Sequence, residues 1–558
     1  MPTPPMTLPL TRLSPPRRLR RAGWCLAAAL LCPAPIAVLA QGASSTLPAL
    51  GDAASDEIAV AAEGRLGDRI MQELRRDPDV LDDPLLVEYI ERIWQPLLAA
   101  AKARGDVSEE LAQNLAWQTF VVRDRSVNAF ALPGGYVGVH LGLLSMTGSR
   151  DELASVLAHE MSHVSQRHIA RMMTSGRRSS MLALATMILG IMAVSRSPDA
   201  AQALVMGGQA AAVQGQLNFS RDMEREADRV GFGVLQGAGY EGVGMVGMFE
   251  RMQLAARLTD SNQFPYLRSH PLTSDRIAEA RSRLGLDGAQ TPSASLGSGG
   301  ASAAWLHAAM QGRARALMDG RNEALQRLAS APGDASAGQG SAGNGTLGGP
   351  PALASAYAAA LAASRLKQWP LADAALQRAR DLAAPHEAAA RAVAMLRIES
   401  LIERDRAVEA LNILQAPGGA RVDDGSRAGL MLVARVALAA HRSPGGPQAA
   451  LQRSSEALMT WVTDHPNDAS AWDLLAQLHE RRGQPLAALR AQAEVRVALG
   501  DWQGAADRLR AGQRLARGQG QVDHVEAAVL DVRLKVVEQK RRQQALDEGR
   551  APGDESGR

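Results

Sequence analysis

The stretch Leu157–His168 reads LAHEMSHVSQRH and contains the pattern His-Glu-x-x-His at His159, Glu160 and His163. On a helix, residues four apart lie on one face, so both histidines can direct a ring nitrogen at one metal ion. Glu160 then falls beside the metal, where a base that takes a proton from water must sit. The apolar residues just before the His-Glu-x-x-His pattern favour a helix packed in a core. Because the pattern is short, a helix that carries two histidines by chance is the alternative.

A second segment supplies the third ligand that a zinc site needs. Residues 220–231 read SRDMEREADRVG, a charged helical stretch in which Glu224 and Asp228 lie one turn apart. If Glu224 binds zinc, Asp228 lies on the same face and can accept the other ring N–H of a ligating histidine. The alternative is a solvated helix face that both acids share with Arg225 and Arg229. The histidine pair favours the metal site, with one Zn2+ per chain.

The pairing of HEMSH with EREAD resembles the HtpX-like and CAAX-prenyl-protease-like family of zinc metallopeptidases, whose third ligand is the first glutamate of the second motif. Two further segments are similar to that family: residues 126–144 (SVNAFALPGGYVGVHLGLL) and residues 269–277 (SHPLTSDRI). The resemblance covers about residues 56–286. It implies a mainly α, zincin-like metallopeptidase domain with a small β segment. We expect peptide-bond hydrolysis without a covalent intermediate, with Glu160 as general base and then general acid.

The segment Asn128, Ala129 and Phe130 is predicted to bind substrate at the edge of the cleft. Pro133 and two glycines end one extended stretch, and another begins at Tyr136. An exposed strand edge there could hold an extended substrate through main-chain hydrogen bonds, which tolerate many sequences. An ordinary hairpin is the alternative.

His270 is predicted to be a regulatory or fourth metal ligand, because Ser269-His270-Pro271 recurs in the soluble relatives that this chain resembles. Pro271 fixes its own φ and biases His270 towards extended backbone, which would hold the imidazole on a loop. A fourth protein ligand would close the open position that a catalytic zinc needs and keep the protease latent. The alternative is a loop histidine without metal contact. Arg276 is predicted to bind substrate or to support the ligands.

Two other histidines fall outside the ligand spacing. His140 and His168 are predicted to be structural or surface residues. Since His168 is five residues after His163, a continued helix would point it away from the metal face.

Residues 1–40 are predicted to be an export signal peptide. Five arginines precede the apolar run at 24–32, and small residues around Val38–Ala40 offer a cleavage site. An uncleaved membrane anchor is the alternative, although the apolar run falls short of the roughly 20 residues that span a bilayer. Sec and twin-arginine export both stay open. Cys25 and Cys32 lie in this segment, so zinc ligands elsewhere must be histidines and carboxylates.

The charge balance gives no support for nucleic-acid binding. The whole chain carries 61 basic and 58 acidic residues, a net charge of +3. Cleavage of the predicted signal would remove five arginines and no acid, leaving 56 basic residues against 58 acidic ones. A nucleic-acid-binding surface typically needs a basic patch or stripe.

The predicted signal peptide would direct the protein out of the cytoplasm, so the predicted location is the periplasm.

Composition divides the rest of the chain into a zinc metallopeptidase domain at 41–290, a linker at 291–302 and α-helical repeats at 303–545. The repeats resemble tetratricopeptide repeats, most clearly in ASAWDLLAQLHERRGQPLAALRAQAEV at 469–495. Such repeats bury small residues between paired helices and leave a concave face for peptides or partner proteins. A plain alanine-rich helical bundle is the alternative.

Three segments are predicted to stand apart from these folded parts. Residues 331–351 are too rich in glycine and serine to pack and form a flexible loop, and residues 546–558 form a disordered tail. The apolar run at 181–194 is short for a membrane span and is predicted to be a buried helix. The alternative is a helix that covers the active site or lies on the membrane, which would give peripheral membrane contact.

These features predict an exported zinc endopeptidase that hydrolyses misfolded or stalled outer-membrane β-barrel proteins. Its repeats would bind substrate or the outer-membrane assembly machinery. The substrate class follows from the resemblance and not from any single residue. The alternative is a periplasmic chaperone or adaptor that acts mainly through its repeats, with a largely latent protease.

Overall fold

A computed structural model describes eight stretches of the chain: residues 59–174, 221–258, 264–286, 299–330, 349–415, 422–442, 447–518 and 523–547. The predicted signal peptide and the apolar run at 181–194 lie outside the described residues. The same holds for most of the predicted loop at 331–351 and of the tail at 546–558. The described part of the chain is mainly helical with one small sheet, so the predicted fold class is confirmed.

The first half of the described chain holds the sheet and ten helices. The helices are α1 Val60–Leu74, α2 Pro84–Arg104, α3 Glu109–Asn114, α4 Leu141–Met146, α5 Arg150–Ser165, α6 His168–Thr174, α7 Arg221–Gly237, α8 Val243–Leu258, α9 Pro265–Ser269 and α10 Ser274–Leu286. The strands are β1 Val80–Leu81, β2 Gln118–Val122, β3 Ala129–Leu132 and β4 Tyr136–His140.

The sheet has the strand order β1-β2-β4-β3 within the described residues. β2 runs parallel to β4, while β1 and β3 are antiparallel to their neighbours. β3 and β4 form a hairpin through the turn Pro133–Gly135, where Gly134 has φ +80° and so adopts a conformation that glycine favours. The two strands thus form a hairpin, and its first strand, β3, lies at the edge of the sheet.

Helix α5 lies at the centre of this half and carries the two motif histidines. The hydroxyl of Ser149 caps it by accepting a hydrogen bond from the Glu152 N–H, and acidic residues in the first turn suit the helix dipole. α5 packs against α7, α8, α2 and β3. Because it has neighbours on all sides, Leu153, Leu157 and Met161 are completely buried, and so are the polar residues between them.

The second half is a run of paired helices, consistent with the predicted repeats. They are α11 Gly299–Leu317, α12 Asn322–Ala329, α13 Pro350–Arg365, α14 Trp369–Ala383, α15 Glu387–Glu403, α16 Ala407–Gln415, α17 Arg427–His441, α18 Gln448–Asp464, α19 Ala469–Arg481, α20 Pro485–Ala498, α21 Trp502–Gly518 and α22 His524–Asp547. α11 begins within the segment predicted to be a linker.

The helical half packs directly on the first half through a buried charge network. Arg313 of α11 binds Asp83, just before α2, with two hydrogen bonds of 2.7 Å, and it also binds Glu399 of α15. Tyr357 of α13 accepts a further hydrogen bond from this guanidinium group. A paired, buried arginine fixes the orientation of the elements that it joins, because separating them would leave a buried charge without a partner.

No helix in the described stretches combines the length and the apolar character that crossing a membrane requires.

Candidate metal centre

Four buried side chains from three parts of the chain meet at one point. α5 carries His159 and His163, α7 carries Glu224, and the loop after α9 carries His270. Their potential ligand atoms all lie within 4.8 Å of one another. The structure thus brings together the three predicted zinc ligands and the predicted fourth one.

The separations between these atoms suit a tetrahedral zinc site. Zinc bonds of about 2.0–2.1 Å place tetrahedral ligand atoms about 3.3 Å apart. The Nε2 atoms of His159 and His163 lie 3.0 Å apart, and the Glu224 carboxylate oxygens lie 3.5 and 3.4 Å from them. His270 Nδ1 is 3.4 Å from His159 Nε2 and 2.9 Å from Glu224 Oε1. Three imidazoles and one carboxylate also match the donor chemistry that zinc prefers.

The glutamate of the motif lies beside this cluster and has unsatisfied oxygens. Glu160 is completely buried, and neither of its carboxylate oxygens has a hydrogen-bond partner among the described residues. Its Oε1 is 3.5 Å from His270 Nε2. A buried carboxylate with open acceptor positions is costly unless a proton donor is supplied. This placement is the one expected of a base that receives a proton from water.

Charge pairing keeps the acidic ligand ionised. Burial opposes ionisation of Glu224, yet the three clustered histidines hold its pKa well below the usual value. Burial also lowers the pKa of His163 far below its ordinary value, which favours the neutral ring that binds metals. Burial also lowers the pKa of His159, but Asp228 and Glu224 outweigh this effect and together raise that pKa to about 9.

Asp228 and Arg276 support the ligands from behind. His159 Nδ1 lies 3.0 Å from Asp228 Oδ1, although the angle departs from that of a well-formed hydrogen bond. Arg276 binds Asp228 through two hydrogen bonds of 2.6 and 2.8 Å, and its Nη1 lies 2.8 Å from Glu224 Oε2. Only 4% of Arg276 is exposed. Since its guanidinium already binds Asp228 and Glu224, this placement favours the supporting role over the predicted substrate-binding role.

His168 is also part of the centre, which corrects a prediction. Its Nδ1 lies 2.8 Å from His163 Nδ1, and the ring is completely buried. The prediction that it points away from the metal face assumed a continued helix. α5 instead ends at Ser165, and Arg167 has φ +52°, so the chain turns and returns His168 to His163. His140, in contrast, binds Ser126 and lies near Asp124, a structural position.

Glu226 completes a chain of contacts that sequence reasoning missed. Its Oε2 lies 2.9 Å from His168 Nε2 and also accepts a hydrogen bond from Arg171. A carboxylate at Nε2 places the proton of a neutral His168 there, so Nδ1 of that ring accepts. His163 then donates from Nδ1 and keeps Nε2 free for a metal. The ring contact thus selects the metal-binding tautomer of His163.

We expect His168→Ala to weaken zinc binding by about 10- to 100-fold, the usual effect of losing a residue that orients a metal ligand. The affinity is measured by competition with a chelator of known zinc affinity. His140→Ala, which removes a buried histidine outside the centre, is the matched control and should bind zinc as the parent does. Unchanged affinity in a folded His168→Ala protein would contradict the orienting role.

The predicted substrate-binding residues lie at the sheet edge that packs on α5. Asn128 and Ala129 are buried, and the partly exposed ring of Phe130 contacts His140 and Phe120 edge-on. The His140 N–H donates to the Asn128 carbonyl oxygen, which makes the 128/140 pair a hydrogen-bonded one. Hydrogen-bonded and non-hydrogen-bonded pairs alternate in an antiparallel ladder.

That alternation fixes the direction of the main-chain groups in β3. Ala129 pairs with Val139, and Ala131 with Val137, in the non-hydrogen-bonded positions. The N–H and C=O groups of these two alanines therefore point away from β4, towards the outer side of the edge strand.

The chain resembles several known proteases. Residues 85–284 match peptidase family M48. The β-barrel assembly-enhancing protease of Escherichia coli K12 is 34% identical over 240 residues, which is 43% of this chain and 47% of that protein. Its Yersinia pestis counterpart is 34% identical over 241 residues, 43% of this chain and 48% of that protein.

A relative with lower sequence identity is a mitochondrial protease. The mitochondrial metalloendopeptidase OMA1 of Schizosaccharomyces pombe is 31% identical over 189 residues, 34% of this chain and 50% of that protein. The chain spans about half the length of the curated relatives it matches. The residues that match family M48 contain the clustered histidines and glutamate, whose chemistry is that of a zinc site. Residues 85–284 therefore resemble peptidase family M48, whose members use zinc.

Proposed function

We propose that this chain is a zinc-dependent endopeptidase whose catalytic base is Glu160. The observation that carries the proposal is the buried cluster of three histidines and one glutamate, beside which the Glu160 carboxylate accepts no hydrogen bond from the described residues. Zinc, when bound, supplies a Lewis acid that polarises the scissile carbonyl group and lowers the pKa of water to about 7.

The residues of the chain divide the remaining work between them. Glu160 accepts a proton from the attacking water and then donates it to the leaving amine as the C–N bond breaks. Asp228 and His168 hold the rings of His159 and His163 in the orientation that presents Nε2. Arg276 balances the charge of Asp228 and Glu224 from the buried side.

The edge strand β3 supports binding of substrate in extended form. The outward main-chain groups of Ala131, which is partly exposed, could pair with a peptide strand, whereas those of Ala129 are buried. β3 packs against the helix that carries the histidines. Main-chain pairing recognises an extended backbone and few side chains. Such a site would accept segments of many sequences, which suits a protease that acts on misfolded proteins.

The proposed biological role is removal of misfolded or stalled outer-membrane β-barrel proteins in the periplasm. Support comes from the names of the relatives, which are β-barrel assembly-enhancing proteases. We propose that the helical repeats bind substrate or the assembly machinery. A purified outer-membrane protein kept unfolded in dilute denaturant should be cleaved, and the same protein folded in detergent should resist. Equal cleavage of both forms would contradict this role.

His270 is proposed to act as a latch. Its imidazole lies between the ligand cluster and the base, with Nδ1 2.9 Å from Glu224 and Nε2 3.5 Å from Glu160. It is 1% exposed. One ring would therefore take the open ligand position and also face the base, so that neither is available to a substrate.

We expect His270→Ala to raise basal proteolysis severalfold, with self-cleavage as a further sign, while zinc stays bound. Casein hydrolysis and zinc content of the purified protein measure the two effects. Ser269→Ala is the matched control, since within the described part of the chain its hydroxyl donates to the carbonyl oxygens of Pro265 and Tyr266, away from the ligands. Basal activity that is unchanged or lower in a folded, zinc-loaded His270→Ala protein would contradict the proposal that His270 acts as a latch.

A chaperone or adaptor role is the second candidate, and the closed four-residue cluster favours it. If the latch is rarely released, the repeats would perform the function and the peptidase would stay silent. Complementation with the Glu160→Gln protein separates the two candidates. Full rescue of a deletion strain supports the adaptor, and failure to rescue supports the protease.

A further inference from the structure

A basic pocket lies in the repeats between α14, α15 and α16, remote in sequence from the metal centre. Its volume is about 170 Å³. Four arginines line it: Arg380 from α14, Arg397 from α15, and Arg404 and Arg406 from the turn that follows. The lining also contains two acids, Asp373 and Glu409.

Two of these arginines are paired and two are not. Arg404 binds Asp373 at 2.7 Å, and Arg406 binds Glu409 one turn along α16. Neither Arg380 nor Arg397 has an ion pair or a hydrogen bond within the described stretches. The pocket therefore has two uncompensated positive charges.

Arg404 adds a fixed, desolvated donor to this surface. Its side chain is only 8% exposed, and its guanidinium lies 4.8 Å from the centre of the Trp369 ring. The Nε of this guanidinium is buried without a hydrogen-bond partner among the described residues. Guanidinium groups held in place in this way bind carboxylates with little loss of conformational freedom.

The rest of the lining distinguishes a peptide from a simple anion. Leu376 and Leu401 contribute apolar surface next to the arginines. The Asp373 side chain is 61% exposed and can accept a further hydrogen bond. Carboxylate acceptors repel a phosphate dianion, whereas a peptide offers N–H donors to them and an aliphatic side chain to the leucines.

We propose that this pocket binds an acidic peptide segment, with a carboxylate between Arg380 and Arg397 and an adjacent aliphatic residue on Leu376 and Leu401. The site is a docking position on the repeats that is separate from the M48 domain. It requires neither the metal nor Glu160, so it stands whether or not the chain is an active protease.

The test uses fluorescence anisotropy with the full chain carrying Glu160→Gln, which prevents cleavage of the probe. The probe is a fluorescein-labelled peptide Ser-Gly-Leu-Glu-Leu-Glu with a free carboxyl end. We expect saturable binding that Arg380→Gln/Arg397→Gln weakens by about tenfold or more, because both charged contacts with the peptide carboxylate are lost. Neither arginine has a partner acid, so the change orphans no carboxylate. The single variant Arg380→Gln should show a smaller loss of probe affinity.

Two comparisons decide the result. Arg453→Gln/Arg508→Gln, which removes two exposed arginines from α18 and α21, should bind the probe as the parent does. The neutral peptide Ser-Gly-Leu-Gln-Leu-Gln-amide should not bind at the same concentrations. Equal probe affinity in the parent and in the folded Arg380→Gln/Arg397→Gln protein would overturn the proposal. Binding of inorganic phosphate, measured by calorimetry, without binding of the acidic peptide would also overturn it.

Discussion

Replacing Glu160 by glutamine should leave one zinc ion on each chain and slow peptide hydrolysis by about 100- to 10,000-fold, the usual contribution of a general acid–base group. Glu160 is adjacent to His159 but outside the set of clustered ligand atoms. Its oxygens accept no hydrogen bond from the described residues, and their contact with His270 is a long one of 3.5 Å. The change from carboxylate to amide therefore removes the proton acceptor and leaves the ligands in place.

Hydrolysis of a quenched fluorogenic peptide and the zinc content of the same preparation measure the two halves of this expectation. Glu241→Gln, an exposed glutamate after α7, is the matched control and should match the parent in both. Loss of zinc from the Glu160→Gln protein would show that Glu160 is a ligand. Undiminished turnover would show that another group is the base.

Replacing Glu224 by glutamine should release the metal and abolish proteolysis. The amide removes the only negative charge in the ligand set and leaves His270 and Arg276 without their shared carboxylate partner. The loss of zinc affinity should exceed the 10- to 100-fold that removing a supporting contact typically causes. This change and Glu160→Gln should be the single substitutions with the largest effects on proteolysis.

Zinc affinity, measured by chelator competition, and peptide hydrolysis report the outcome for Glu224→Gln. Asp222→Asn is the matched control on the same helix, because the side chain of Asp222 is 94% exposed. It should retain both zinc and activity. A Glu224→Gln protein with full zinc content and full activity would rule out Glu224 as a ligand.

The parts of the centre that follow helical spacing could be predicted from sequence. His159 and His163 lie four residues apart on α5, and Glu224 and Asp228 lie four apart on α7, so each pair shares a face. A regular helix fixes such relations locally. The small sheet was also foreseeable, since Pro133 and the glycines after it signal a turn between extended stretches.

Contacts that depend on the end of a helix or on distant segments could not be predicted in this way. The positive φ of Arg167 redirects His168, and no turn-forming glycine or proline marks that position. Glu226 looks like any exposed acid of a charged helix until His168 is placed beside it. Arg313 and Asp83 are 230 residues apart, so nothing local indicates that the helical half packs on the half that carries the metal centre.

Quantitative metal analysis of the purified protein tests the central claim most directly. After dialysis against buffer with trace zinc, the parent should contain one zinc ion per chain, as measured by inductively coupled plasma mass spectrometry. The folded double variant His159→Ala/His163→Ala should contain almost none. A parent protein without stoichiometric zinc, or a double variant that keeps it, would contradict the metal centre and with it the proposed peptidase.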